Sequence, residues 1–128
     1  MELAHLGRGH TDNDLVVLVA DAGVAFAGDL VEEGAPPQFG DAWPLEWPGT
    51  LQRLVEVAPA VVVPGHGDVV DLAFLHGQRE EQRAMAALCR GVLEGSLLVA
   101  HAVRRAPFPA ATAREALERS TVTGRVSS

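Results

Sequence analysis

Leu15-Val16-Val17-Leu18-Val19-Ala20, then Asp21-Ala22-Gly23, then Val24-Ala25-Phe26-Ala27 and Gly28-Asp29, is the stretch that decides the fold. Its first piece is an unbroken, β-branched apolar run of strand length, the mark of a strand buried on both faces. Asp21-Ala22-Gly23 supplies turn chemistry, with Gly23 free to take a positive φ. Val24–Ala27 reads as the returning strand, so residues 15–28 form a hairpin that ends at Gly28-Asp29. Further on, Ala60-Val61-Val62-Val63 repeats the buried-strand composition and stops at Pro64-Gly65-His66-Gly67.

Outside these strands the pattern turns helical. Thr50–Val57 has apolar residues at 51, 54, 55 and 57, which suits a short amphipathic helix, and Pro48 sits near its first turn, where the missing N–H costs little. The segment from Glu32 to Pro48 is rich in proline and holds both tryptophans. It reads as an ordered loop anchored by Phe39, Trp43 and Trp47, and loops of this length are often functional. Asp71 is placed to cap a helix from Leu72 to Glu94, which carries Met85, Leu88, Cys89 and Val92 on one stripe and is ended by Gly95. A shorter helix follows over Leu97–Arg105, capped by Ser96. Ala110–Ser120 forms the last helix, and residues 121–128 read as a flexible tail. Nothing in the sequence repeats, and no linker divides it.

The 128 residues carry 17 acidic and 10 basic side chains, a formal charge of −7. That balance argues against nucleic acid as partner, since phosphate binding draws on clustered basic residues. With 48% apolar and 21% charged residues, the chain is too oily for disorder. Cys89 is the single cysteine, so no intramolecular disulfide staples the fold, which favours a reducing compartment. Met1–Gly7 lacks the basic region and apolar run of a signal peptide. No run of ~18 uncharged apolar residues is present to span a membrane. A cytoplasmic protein without membrane contact is expected.

Three short sequences can carry chemistry: Gly9-His10-Thr11-Asp12-Asn13-Asp14, Ala27-Gly28-Asp29 and Pro64-Gly65-His66-Gly67. Each sets a metal-capable side chain beside glycine at the end of a buried strand, where the backbone is fixed and can turn sharply. Imidazole nitrogen and carboxylate oxygen are donors that zinc, iron and manganese accept. Singly, each motif is the ordinary signal of a turn. The succession His10, Asp29, His66 gives them joint meaning. The other candidates read as structural: His5 a satisfied strand histidine, His76 solvated, His101 at a helix–helix contact, Cys89 a buried inert thiol. Glu32 and Glu33 read as surface charges. Asp12 and Asp14 read as caps of the strand end, with orientation of His10, by them or by Thr11, as the alternative.

This succession resembles the C-terminal half of the metallo-β-lactamase superfamily, over about His5 to Asp71 and the helices that follow. The resemblance implies an α/β chain corresponding to half of an αββα sandwich: a β-hairpin, a further strand and C-terminal helices. His10 matches the family's third metal-binding histidine, Asp29 the acidic residue that commonly bridges two metals, and His66 the last histidine. The family's His-x-His-x-Asp-His motif normally precedes the residue matching His10, and none of the nine residues before it forms that motif. Residues 1–120 are therefore expected to be a partial domain lacking that N-terminal half.

In complete relatives one or two zinc ions, with iron or manganese as alternatives, activate water to attack an ester, thioester, lactone, amide or phosphoester of a small-molecule substrate. By itself the chain is expected to be inactive, with its metal weakly held or absent, and no catalytic residue is assigned. The alternative is a non-catalytic, half-fold interaction or metal-binding module. Such a module would associate through an exposed apolar face, as a homodimer or with the missing N-terminal half.

Overall fold

The β-branched run at its centre makes β2 (Val16–Val19), and a 3-10 turn over Ala20–Ala22 with Gly23 in the left-handed region returns the chain into β3 (Val24–Glu32). The computed structural model describes residues 1–126. The remaining elements are β1 (Glu2–Ala4), α1 (Trp47–Val57), β4 (Val61–His66), β5 (Val70–Asp71), α2 (Leu72–Leu93), α3 (Val99–Arg105) and α4 (Ala110–Val126). The strands lie in one sheet in the order β1-β2-β3-β4-β5. β3 and β4 pair in parallel, joined by a crossover that contains α1, and the other pairs are antiparallel. The fold is α/β, as expected.

One face of the sheet is covered and the other is open. Val16, Ala25, Ala27 and Val62 are fully or almost fully buried, and they form one core with Leu51 and Leu54 of α1 and with Leu75, Met85 and Cys89 of α2. On the opposite face Leu3, Val17, Phe26 and Val63 form a row across four strands by their register, and Leu3 and Phe26 are 64% and 44% exposed. The expectation that the β2 run is buried on both faces is thus corrected: Val16 is buried, but Val17 and Val19 are only partly covered. Helices shield one side of the strand alone.

Two elements run past their expected ends. β3 continues through Gly28-Asp29 to Glu32 rather than ending there. Its pairing with β4 is irregular, because Gly28 sits opposite Pro64 and Glu32 opposite His66, with register shifts on both sides of Gly28. Four residues of β3 thus span two of β4. Helix α4 likewise continues through residues 121–126, where a flexible tail was expected, and Ser120 and Thr123 are buried on it. The end of that expected tail, residues 127–128, lies outside the described residues. No helix among the described residues is long and apolar enough to cross a membrane.

The long helix α2 starts as its cap predicts, with Asp71 Oδ1 accepting the Phe74 N–H at 2.9 Å. Ser96, expected to cap α3, instead donates its hydroxyl to the Gly91 carbonyl at 3.2 Å, and the N-cap of α3 is Leu98. The loop from Glu33 to Glu46 is ordered by its aromatic anchors. Phe39 and Trp47 are buried with ring centroids 5.3 Å apart, and the Arg8 guanidinium lies 3.8 Å over Trp43. Trp47 Nε1–H donates to the Leu30 carbonyl at 3.1 Å, fastening the start of α1 to β3 beside Asp29.

Candidate metal centre

His10 stands on a segment tied to the rest of the molecule by its main chain. The Trp43 N–H donates to the Gly9 carbonyl at 2.7 Å, and Thr50 Oγ1 donates to the Arg8 carbonyl at 2.6 Å. Asp14 Oδ2 accepts the Thr11 N–H at 2.7 Å, which closes the turn around His10, and Asp14 Oδ1 lies 3.9 Å from His10 Nδ1. Asp14 is therefore a cap whose free oxygen flanks the imidazole. The ring of His10 meets Trp47 edge-on, centroids 6.1 Å apart. Asp12 contributes through its backbone, its carbonyl lying 3.2 Å from His5 Nε2.

Asp29 follows Gly28, whose φ of 56° is reached cheaply only by glycine. A glycine in that conformation inside a strand belongs to a bulge, which bends the strand and re-aims the next side chain. Across from it Gly65 allows a close approach. A Cβ there would collide with Asp29 Oδ1 and lie 2.9 Å from the Asp29 nitrogen and the Gly28 carbonyl carbon. His66, the last residue of β4, then reaches Asp29 with its ring.

The three expected residues do gather. Asp29 Oδ1 lies 3.3 Å from His66 Nδ1, and Asp29 Oδ2 lies 4.0 Å from His10 Nδ1. Glu32 joins them, its Oε2 also 3.3 Å from His66 Nδ1. Ligand atoms of Asp29, Glu32 and His66 all lie within 4.8 Å of one another. Bonds of ~2.1 Å to nitrogen and oxygen put neighbouring ligands of a tetrahedral ion ~3.4 Å apart. The two 3.3 Å distances from His66 Nδ1 fit that edge, and the donor set suits zinc, iron or manganese.

Glu32 corrects its expected role as a surface charge, because it is only 7% exposed. In a regular strand, positions 29 and 32 would face opposite sides, since side chains alternate with period two. The irregular register of β3 removes that alternation. Its main chain is clamped by Gln78, which accepts the Glu32 N–H at 3.1 Å and donates to the Glu32 carbonyl at 2.5 Å. Burial first, then the hydrogen bond and negative charge of Asp29, push the Glu32 carboxyl above its ordinary pKa, while His66 pulls it partly back. The signal that could have found it is the glycine inside a strand run, which marks a bulge as readily as a turn.

The remaining candidates lie elsewhere. Glu33 accepts the Asp68 N–H at 3.1 Å and steadies the turn after His66. His76 is partly covered on α2, while His101 is exposed on α3 rather than set between helices. Cys89 is buried, and burial raises its thiol pKa.

No protein-family model matches the chain. It is 32% identical over 73 residues to the type 2 metallo-β-lactamase of Bacteroides fragilis, covering 53% of this chain and 29% of that protein. With the type 2 metallo-β-lactamase of Bacillus cereus it shares 30% over 80 residues, 59% of this chain and 31% of the relative. The crystal structure of a metallo-β-lactamase from Pontibacter korlensis superposes with a TM-score of 0.58 at 29% identity, covering 63% of this chain and 40% of that one. The chain thus spans about a third of the length of the curated relatives it matches. With the gathering of His10, Asp29 and His66 at one sheet rim, these likenesses lead to one conclusion: the chain is similar to part of the metallo-β-lactamases and shares that part of their fold.

Proposed function

We propose that this chain supplies part of the metal centre of a metal-dependent hydrolase, with His10, Asp29 and His66 as ligands and zinc as the resident ion. Iron and manganese are the alternatives the same donors accept. The observation that carries the reading is the position of Asp29, whose two oxygens lie 3.3 Å from His66 Nδ1 and 4.0 Å from His10 Nδ1. One carboxylate between two imidazoles from separate segments is the arrangement an anionic bridge needs. When bound, such an ion acidifies water and polarises a carbonyl or phosphoryl oxygen.

The chain's own residues then have distinct tasks. His10 and His66 act as neutral donors, and Asp29 supplies negative charge. Asp14 holds the turn that presents His10. The substrate is a small molecule with an ester, thioester, lactone, amide or phosphoester bond, and the loops that select it lie beyond these ligands. Alone, the chain does not turn substrate over. His66 is 74% exposed, so the site is open to water and has no walls to orient a reactant or exclude solvent.

The test is zinc retention after dialysis, together with hydrolysis of chromogenic ester, thioester, lactone and β-lactam substrates. The wild-type chain is expected to retain zinc, and the double variant Asp29→Ala/His66→Ala to lose it, with no turnover above zinc in buffer. Absence of retained zinc in the wild type would contradict the ligand set. Turnover abolished by the double variant would contradict inactivity of the chain alone.

A second reading, a metal-binding module that works by association, is favoured by the open sheet face. Leu3 and Phe26 are 64% and 44% exposed there, in a row with Val17 and Val63. Contiguous apolar surface of this kind marks an interface. A second copy of the chain, or a further sheet of the same fold, would cover it.

A further inference from the structure

We infer that Glu32 is itself a metal ligand, completing with Asp29 and His66 a one-ion site built wholly from the ends of β3 and β4. The inference rests on the metal-binding reading above and adds to it a ligand on this chain that requires neither His10 nor any other segment.

Three independent observations carry it. The first is distance: His66 Nδ1 is equidistant, at 3.3 Å, from Asp29 Oδ1 and Glu32 Oε2, close to the ~3.4 Å edge of a tetrahedron with ~2.1 Å bonds. Three protein ligands and one open position is the usual complement of a catalytic zinc. The second is charge. The Glu32 side chain is 93% buried beside a second carboxylate, and the sequence contains no lysine. Among the described residues, the ion pairs of Asp29 and Glu32 are with imidazoles alone. A buried carboxylate is costly without a compensating cation, and the imidazoles of His10 and His66 carry no permanent positive charge to set against the two carboxylates. A divalent ion balances both.

The third observation is how rigidly Glu32 is presented. Gln78 binds both its N–H and its carbonyl, so the backbone at Glu32 is fixed from α2. The register irregularity on either side of Gly28 brings positions 29 and 32 to the same imidazole. His10 approaches the other oxygen of Asp29 and leaves Oδ1 to this site.

The experiment is titration of the full 128-residue chain with zinc alone, followed calorimetrically, alongside Glu32→Gln, Glu32→Asp, His101→Ala and Asp29→Ala. Circular dichroism establishes that each variant is folded. The wild type is expected to bind one tight ion. Glu32→Gln, and Glu32→Asp with its shorter reach, should weaken that ion by more than about 100-fold, beyond what losing an outer partner of a ligand costs. His101→Ala, on the exposed side of α3, should leave the ion bound. Without metal, Glu32→Gln should melt higher than wild type, because it relieves two crowded carboxylates. With zinc the order should invert. If Glu32 only held His66 as a structural ion pair, Glu32→Gln would melt lower without metal and bind zinc as the wild type does, which would overturn the inference. Loss of zinc in Asp29→Ala but not in either Glu32 variant would overturn it too, while leaving the parent reading intact. A wild type that binds no zinc overturns both.

Discussion

Among the described residues, Glu32 and Asp29 form ion pairs with imidazoles alone, and this sets the behaviour of the metal-free site. The Glu32 carboxyl titrates above its ordinary value because of burial and its neighbour Asp29, against the partial pull of His66. The folded state therefore holds that proton more tightly than the unfolded state. The stability it contributes is fully present below the ordinary carboxylate pKa and is lost as pH rises through the raised value. In metal-free protein the thermal advantage of Glu32→Gln over wild type should accordingly be largest near neutrality and shrink on acidification, read from melting curves across pH. A gap that widens in acid would contradict the assignment. Cys89 shows the same physics away from that site. Desolvation raises its pKa, so iodoacetamide should label it far more slowly in the folded chain than in urea; equal rates would contradict its burial. The meeting of His10, Asp29 and His66 was legible because glycine beside a donor at a strand end survives in the sequence as a motif. Glu32 was not, because its partner is decided by a bulge and not by spacing.

Among the elements, β3 shows most plainly what pattern reading can and cannot deliver. Its apolar half, Val24–Ala27, is written in β-branched and small residues, whereas its continuation to Glu32 depends on pairing with β4 across an irregular register. A Gly-Asp pair names a turn equally well, so the strand's end stays hidden until β4 is in place. The two-residue β5 and three-residue β1 exist only through their neighbours for the same reason. Helix α2 was readable end to end, since apolar periodicity, the Asp71 cap and Gly95 agree. Removing that cap by Asp71→Ala should cost about 1 kcal/mol in urea unfolding, and an unchanged midpoint would contradict it. Gly65→Ala should act on function through β4. Its Cβ would press on Asp29 and the Gly28 backbone, at a cost of about 1–3 kcal/mol for an overpacked site. Zinc affinity should fall with it. Trp47→Ala, which removes a buried ring and the hydrogen bond to Leu30, should cost about 3–5 kcal/mol.

At the scale of the whole molecule, one sheet face is packed by helices and the other is apolar and open, and the candidate metal-binding rim lies where β3 and β4 end. A covering layer over Leu3, Val17, Phe26 and Val63 would take that apolar row out of water. Sedimentation velocity over a wide concentration range should therefore show self-association, and substituting Phe26→Glu on the open face should abolish it without unfolding the chain. A wild type that stays monomeric throughout would contradict a second copy as the cover. The proposed site holds one divalent ion between β3 and β4. Anomalous diffraction at the zinc edge, from crystals of the full chain grown with zinc, tests it most directly. One dominant peak is expected ~2.0–2.2 Å from carboxylate oxygens of Asp29 and Glu32 and from a ring nitrogen of His66. Zinc found only at scattered surface positions, with these three side chains unbridged, would contradict it.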